Sequence, residues 1–138
     1  MTQHPVLMHT ALDALDVRGL AEFWRELLGL RYRPGDEPPV DGPDDEDWLV
    51  LVDDAGRRVL AFAEVEHLDR PTWPEDGIDK QMHLDLRVPT TEALETQRGR
   101  AEELGATLVH DRSDDDGEPL YVLTDPEGHP FCILVGPT

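Results

Sequence analysis

Hydrophobic and polar positions alternate at two places in the chain, and each place begins a similar pattern. Over residues 7–14 the wetter face carries His9, Ala11 and Asp13, and the other face carries Met8, Thr10, Leu12 and Ala14. Over residues 82–88 the sequence MHLDLRV places His83, Asp85 and Arg87 on one face and Leu84, Leu86 and Val88 on the other. A period of two residues predicts a β-strand in both places, each with a histidine on its wetter face.

A helix is predicted after each of these strands. Asp16 is a suitable N-cap, and Gly29 can adopt the left-handed conformation that ends a helix. Between them the hydrophobic residues recur at three- and four-residue steps: Leu20, Phe23, Trp24, Leu27 and Leu28. In the second half, Thr90 or Thr91 can cap a helix that Gly105 ends, with an inner face of Ala93, Leu94, Gln97, Ala101 and Leu104.

The remaining hydrophobic runs are short and predict strands that are separated by turns and polar loops. The predicted strands cover 48–52, 58–65, 107–110, 120–124 and 130–135. The predicted loops and connectors cover 34–47, 66–81 and 111–118. The chain therefore reads as strand, helix and further strands, written twice, which predicts an α+β fold of two βαβββ modules. We expect one domain over residues 1–138, with modules at about 5–66 and about 81–136.

The charge of the chain excludes some partners. Its 31 acidic and 12 basic residues give a formal charge of −19, which disfavours nucleic acid and anionic membranes and favours a cationic ligand. Cys132 is the single cysteine, so no internal disulfide is possible. Neither a signal peptide nor a hydrophobic run of about 20 residues is recognisable, so a cytoplasmic location is expected.

Two segments resemble the vicinal oxygen chelate superfamily, which contains glyoxalases, bleomycin-resistance proteins and extradiol dioxygenases. GLAEFWRELLGL at 19–30 is similar to the family's first helix, and LTDPEGHPFCIL at 123–134 is similar to its closing turn and strand. RPTWPEDGIDKQMHLDLRV at 70–88 resembles the glyoxalase-like branch. The resemblance implies curved mixed sheets around a cavity, and a homodimer.

The resemblance also implies a divalent metal site, for which Zn, Fe, Mn and Ni all stay open. His9 and His83 match the positions of two metal ligands. The family's metalloenzymes usually have a glutamate in the closing strand, where this chain has Cys132. Glu64 is the nearest carboxylate in the first module's closing strand, two or more positions late. The predicted metal ligands are therefore His9, His83 and, more weakly, Glu64.

Two functions remain open at this stage. The first is a glyoxalase-like protein that binds a small molecule, cationic by the charge argument, without a complete metal site. Its pocket residues would be His9, Asp13, Trp73, His83, Asp85, Arg87 and Cys132. The second is a metal-dependent lyase or dioxygenase, in which the ion acts as a Lewis acid.

Overall fold

The computed structural model describes residues 3–136 and shows two βαβββ modules within that range. The chain divides into two compact units, the first ending at Leu68 and the second beginning at Asp69. The first unit contains β1 (Thr10–Ala14), α1 (Val17–Leu28), β2 (Arg31–Tyr32), β3 (Trp48–Val52) and β4 (Arg58–Glu64). The second contains β5 (Leu84–Val88), α2 (Thr91–Leu104), β6 (Thr107–Arg112), β7 (Leu120–Thr124) and β8 (Pro130–Val135). The predicted α+β class with two modules is confirmed.

Each unit has one mixed sheet of four strands, and the strand orders correspond. They are β1-β4-β3-β2 in the first unit and β5-β8-β7-β6 in the second. The first strand of each unit is parallel to the last, and the register is also equivalent, since Ala11 lies opposite Ala61 as Asp85 lies opposite Cys132. The other pairs are antiparallel.

The predicted caps position both helices. The Asp16 side chain accepts a hydrogen bond from the Gly19 amide, and Gly29 ends α1 with φ of 67°. The Thr90 hydroxyl accepts from the Ala93 amide at the start of α2. The caps satisfy amide groups that have no partner inside the helix, which explains where both helices begin.

The cores differ in how much of each helix they bury. Most of the predicted stripe of α1 is buried, and Trp24 has no exposed surface. In α2 only Leu94 and Ala101 are buried, so its inner face is narrower than predicted. The strands supply the other large buried side chains: Leu49, Leu51 and Phe62 in the first unit, and Leu123, Phe131 and Ile133 in the second. None of the helices within residues 3–136 is long and apolar enough to span a bilayer.

Several strand boundaries differ from the prediction. β1 begins at Thr10 and β5 at Leu84, so His9 and His83 both lie just before their strands rather than inside them. β6 continues to Arg112, through residues predicted to lie in the acidic loop. The strand Arg31–Tyr32 was not predicted, because two residues are too few to show a period.

Candidate functional site

The parallel pairing of β5 and β8 brings together three side chains of the second unit whose types can bind a metal ion. Asp85 lies opposite Cys132, and His83 lies two residues before Asp85, on the same face. Ligand atoms of His83, Asp85 and Cys132 all lie within 4.8 Å of one another. We call these three residues the donor cluster.

Asp85 is the centre of the donor cluster. One of its carboxylate oxygens lies 3.3 Å from Nε2 of His83. Burial, together with the negative charge of Asp85 and a hydrogen bond to its carboxylate, raises the pKa of the Cys132 thiol to about 11. The thiol is therefore protonated at neutral pH when no ion is bound. The side chains of His83 and Asp85 are 35% and 59% exposed, so a small molecule can reach them.

The His83–Asp85 separation in the donor cluster is compatible with a tetrahedral ion. Two ligand atoms that each lie about 2.0–2.1 Å from a tetrahedral zinc ion are about 3.3 Å apart. The separation of 3.3 Å between His83 and Asp85 has this value. Nitrogen, oxygen and sulfur together are a ligand set that suits zinc, whereas manganese prefers oxygen-rich sites.

Two other predicted pocket residues lie in the second unit but outside the donor cluster. Arg87 is exposed and lies on the same face of β5 as Asp85, as predicted. No ion pair joins Arg87 to Asp85 in the part of the chain that the structure describes, because Asp85 faces His83 and Cys132 instead. Trp73 is half-buried, and its ring lies 4.4 Å from the ammonium group of Lys80.

Trp73 also lines a cleft of about 280 Å³. The other lining residues come from the connector before β5, from strands of the second sheet and from the turn before β8: Arg70, Pro71, Thr72, Pro74, Glu75, Val109, Thr124 and Gly128. None of the other predicted pocket residues lines this cleft, so the place of Trp73 in the predicted pocket stays a prediction.

In the first unit, His9 is half-buried beside Trp48, with the ring centroids 5.7 Å apart. Burial lowers the pKa of His9, and the positive charges of Arg58 and Arg33 lower it further. Its Nδ1 atom is buried and has no hydrogen-bond partner among residues 3–136. His9 is therefore a neutral imidazole near two guanidinium groups.

Asp13 and Glu64 lie away from His9 along the same sheet. Asp13 is exposed on β1, four residues after His9, and Glu64 lies opposite Ala14 at the far end of β4. Five positions along a strand are about 16 Å, which is farther than an imidazole and a carboxylate can span around one ion. We therefore do not carry Glu64 forward as a ligand with His9.

The sequence analysis missed Arg33 and Arg58, and it did not place Cys132 beside Asp85. Arg33 follows the short strand β2, and Arg58 is the first residue of β4. The position of Cys132 in the family's closing motif was the available signal for the donor cluster. No sequence signal indicated that the two arginines lie near His9.

Comparisons with known proteins agree with this architecture. The glyoxalase-like domain family matches residues 9–134. A comparison with curated protein sequences found no match. A glyoxalase/bleomycin resistance protein/dioxygenase family enzyme from Burkholderia phytofirmans PsJN is 17% identical, with a TM-score of 0.67, and the match covers 93% of this chain and 96% of that protein.

Two further solved structures share the fold. The fosfomycin resistance protein FosX from Listeria monocytogenes, in complex with Mn(II) and 1S,2S-dihydroxypropylphosphonic acid, is 15% identical with a TM-score of 0.68; the match covers 98% of this chain and 93% of that one. A hypothetical protein from S. aureus is 19% identical with a TM-score of 0.64, over 95% of this chain and 97% of that one. On the family match over residues 9–134, this chain belongs to the glyoxalase-like family, within the superfamily of glyoxalases, bleomycin-resistance proteins and dioxygenases.

Proposed function

We propose that this protein is a zinc-dependent glyoxalase-like enzyme that acts on a small oxygenated molecule. The observation that carries the proposal is the donor cluster, in which ligand atoms of His83, Asp85 and Cys132 lie within 4.8 Å of one another. Three protein ligands with an open fourth position are the usual arrangement of a catalytic zinc site.

The chemistry of the donors narrows the reaction class. Thiolate and imidazole ligands favour zinc, which has no redox chemistry, over the iron or manganese that oxygenases use. A bound zinc ion supplies a Lewis acid that polarises a carbonyl or a similar oxygen. Lyase or isomerase chemistry on adjacent oxygens therefore suits this chain better than dioxygenase chemistry. The FosX neighbour binds Mn(II), so its ligand set is not transferred here.

The chain's own residues have separate roles in this proposal. The side chains of His83 and Asp85 are exposed, so they face the solution from which a ligand arrives. Cys132 is half-buried and donates a hydrogen bond to Asp85 in the absence of an ion. It has to lose its proton to bind metal, so binding releases a proton.

The proposal is tested by the metal content of the protein purified without chelators. We expect about one zinc per chain, and much less in His83→Ala and Cys132→Ala variants. His67→Ala is the matched control, since His67 is an exposed histidine of the connector. Cobalt substitution gives a second measurement, because a thiolate–cobalt absorption band should be present in the native chain and absent in Cys132→Ala. Equal zinc in all variants, or no zinc in any, would contradict the proposal.

One observation favours the alternative, a metal-free protein that binds a small molecule. The donor cluster satisfies itself without an ion, because Asp85 accepts from Cys132 and lies 3.3 Å from His83. In that case the same three residues form a polar pocket floor. The discriminating result is ligand binding that is unchanged by exhaustive treatment with a chelator.

A further inference from the structure

The sheet of the first unit has a second group of functional side chains on the face that carries Ala11 and Asp13. Residues opposite each other in a sheet point to the same side. Ala61 lies opposite both Ala11 and Val50, so it belongs to this face. Val50, Val52 and Ala61 form a buried apolar floor against which Trp48 packs.

Two arginines and a histidine border this floor. Arg58 lies opposite Val52, and the backbone amide of Arg33 donates to the carbonyl of Val50. His9 lies beside Trp48 and is close enough to both guanidinium groups for their charges to act on it. We call His9, Arg33, Trp48 and Arg58 the arginine face.

The arginines differ in their partners. Arg33 is paired with Asp36, at 3.1 Å. Arg58 is half-buried, and its side chain forms no hydrogen bond or ion pair with another residue between 3 and 136. In a chain with a charge of −19, a half-buried arginine without a carboxylate partner is unusual, because acidic residues greatly outnumber basic ones.

We propose that the arginine face binds a small organic anion, a carboxylate or a phosphonate, whose apolar body lies against Trp48. Arg58 presents the fork of N–H donors that matches two oxygens of such a group. The Nδ1 atom of His9 also has no partner among the described residues, and it is buried in the free protein. A turn of the imidazole ring brings this atom to the anion, to which it donates in the tautomer that is protonated there. The half-buried indole ring of Trp48 binds the rest of the molecule, while Val50, Val52 and Ala61 are already covered in the free protein and only support that ring.

This inference reverses the expectation of a cationic ligand drawn from net charge. At physiological salt, exposed charges are screened beyond about 8 Å. The negative charge of the chain as a whole therefore matters less at this face than the nearby guanidinium groups. Asp13, the carboxylate on the same side of β1, lies four positions from His9, about 13 Å along the chain. It shares a row of the sheet with Trp48, since both lie opposite Ala63.

The test measures binding of benzoate and phenylphosphonate by calorimetry, with benzylammonium as the cationic counterpart. Chelator-treated protein is used, so that the donor cluster of the second unit does not contribute through a metal. We expect both or one of the anions to bind with a Kd below about 1 mM, and the cation not to bind. The stronger of the two anions identifies whether the site prefers a carboxylate or a phosphonate.

The variants assign the binding to the arginine face. Arg58→Gln should weaken anion binding at least tenfold, Arg58→Lys should weaken it less, and His9→Ala should weaken it severalfold. Arg57→Gln is the matched control, because Arg57 is the neighbouring arginine, 80% exposed and paired with Asp53. Thermal unfolding checks that each variant is folded. If Arg58→Gln does not fold, the comparison is made with Arg58→Lys instead.

Three results would overturn the inference: no binding of either anion, equal binding by Arg58→Gln and Arg57→Gln, or binding of benzylammonium as tight as that of the anions. Zinc content is measured separately in the same variants. In the native chain, zinc without anion binding contradicts only this inference, and anion binding without zinc contradicts only the proposed function.

Discussion

The reactivity of Cys132 is a direct measure of the environment of the donor cluster. Burial and the neighbouring Asp85 raise the thiol pKa from an ordinary 9.0 to about 11. A rise of two units lowers the thiolate fraction about 100-fold at neutral pH. A more basic thiolate is also about 6–10 times more nucleophilic, since the Brønsted coefficient is about 0.4–0.5. The net expectation is thiol–disulfide exchange about tenfold slower than for an ordinary cysteine, before any loss of access.

The assay follows release of thiopyridone from dithiodipyridine by chelator-treated protein, and Cys132 is the single cysteine that can react. The rate should rise tenfold per pH unit until about pH 11, because the thiolate forms only as pH approaches the pKa. The pH–rate profile therefore bends at the thiol pKa. Asp85→Asn should raise the rate at pH 8 severalfold and move this bend to lower pH. The shift should be partial, since burial is the larger cause. Asp116→Asn, in an exposed loop, is the control.

A bend near pH 9 in the native chain would refute this reasoning. So would equal rates in Asp85→Asn and Asp116→Asn, because the carboxylate would then have no influence on the thiol. Either result would mean that Asp85 and Cys132 are not neighbours in solution.

Two further predictions concern the first unit. Asp36→Ala should lower the free energy of unfolding by about 1–3 kcal/mol, because the buried Asp36 carboxylate accepts from the Val50 amide at 2.9 Å, and this amide would lose its partner. Urea unfolding should show a much smaller loss of stability for Asp36→Asn, which keeps an acceptor, and for Asp41→Ala, at an exposed position. Equal losses in Asp36→Ala and Asp41→Ala would contradict this role of Asp36. The pKa of Tyr32 is raised to about 12 by burial and by the carboxylate of Glu22, which accepts from its hydroxyl at 2.6 Å. The stability that this pair contributes should be present below about pH 10 and be lost as the pH rises towards 12. The difference spectrum between the native chain and Tyr32→Phe should show phenolate only near pH 12. In Glu22→Gln the phenolate should form at a lower pH.

The elements that local sequence determines were predicted well. Asp16 and Gly29 bound α1 as expected, because a cap and a left-handed glycine act on their immediate neighbours. The alternation of Leu84–Val88 predicted which side chains of β5 are exposed. The entry into β1 was predicted too early, since His9 precedes the strand. Local pattern does not show where pairing with β4 begins.

The donor cluster and the arginine face depend on strand pairings that the local sequence pattern does not predict. Asp85 and Cys132 are 47 residues apart in the chain and become neighbours only through the register of two parallel strands. Arg58 reaches the same face as Val50 after an irregularity in the β3–β4 register. Strict alternation along β4 would have placed Arg58 on the opposite face from Ala61 and Val50. These contacts needed tertiary structure, and they are the ones on which both proposals depend.

The equivalent register of the two sheets has a consequence for protein engineering. Where the second sheet has Asp85 opposite Cys132, the first has Ala11 opposite Ala61, and each pair follows a histidine just before the strand. The two copies have thus diverged, one towards metal-binding side chains and the other towards alanines. Ala11→Asp and Ala61→Cys together would place an aspartate and a cysteine beside His9, as Asp85 and Cys132 lie beside His83. The engineered site of the first unit could then be compared with the natural site of the second unit in the same protein.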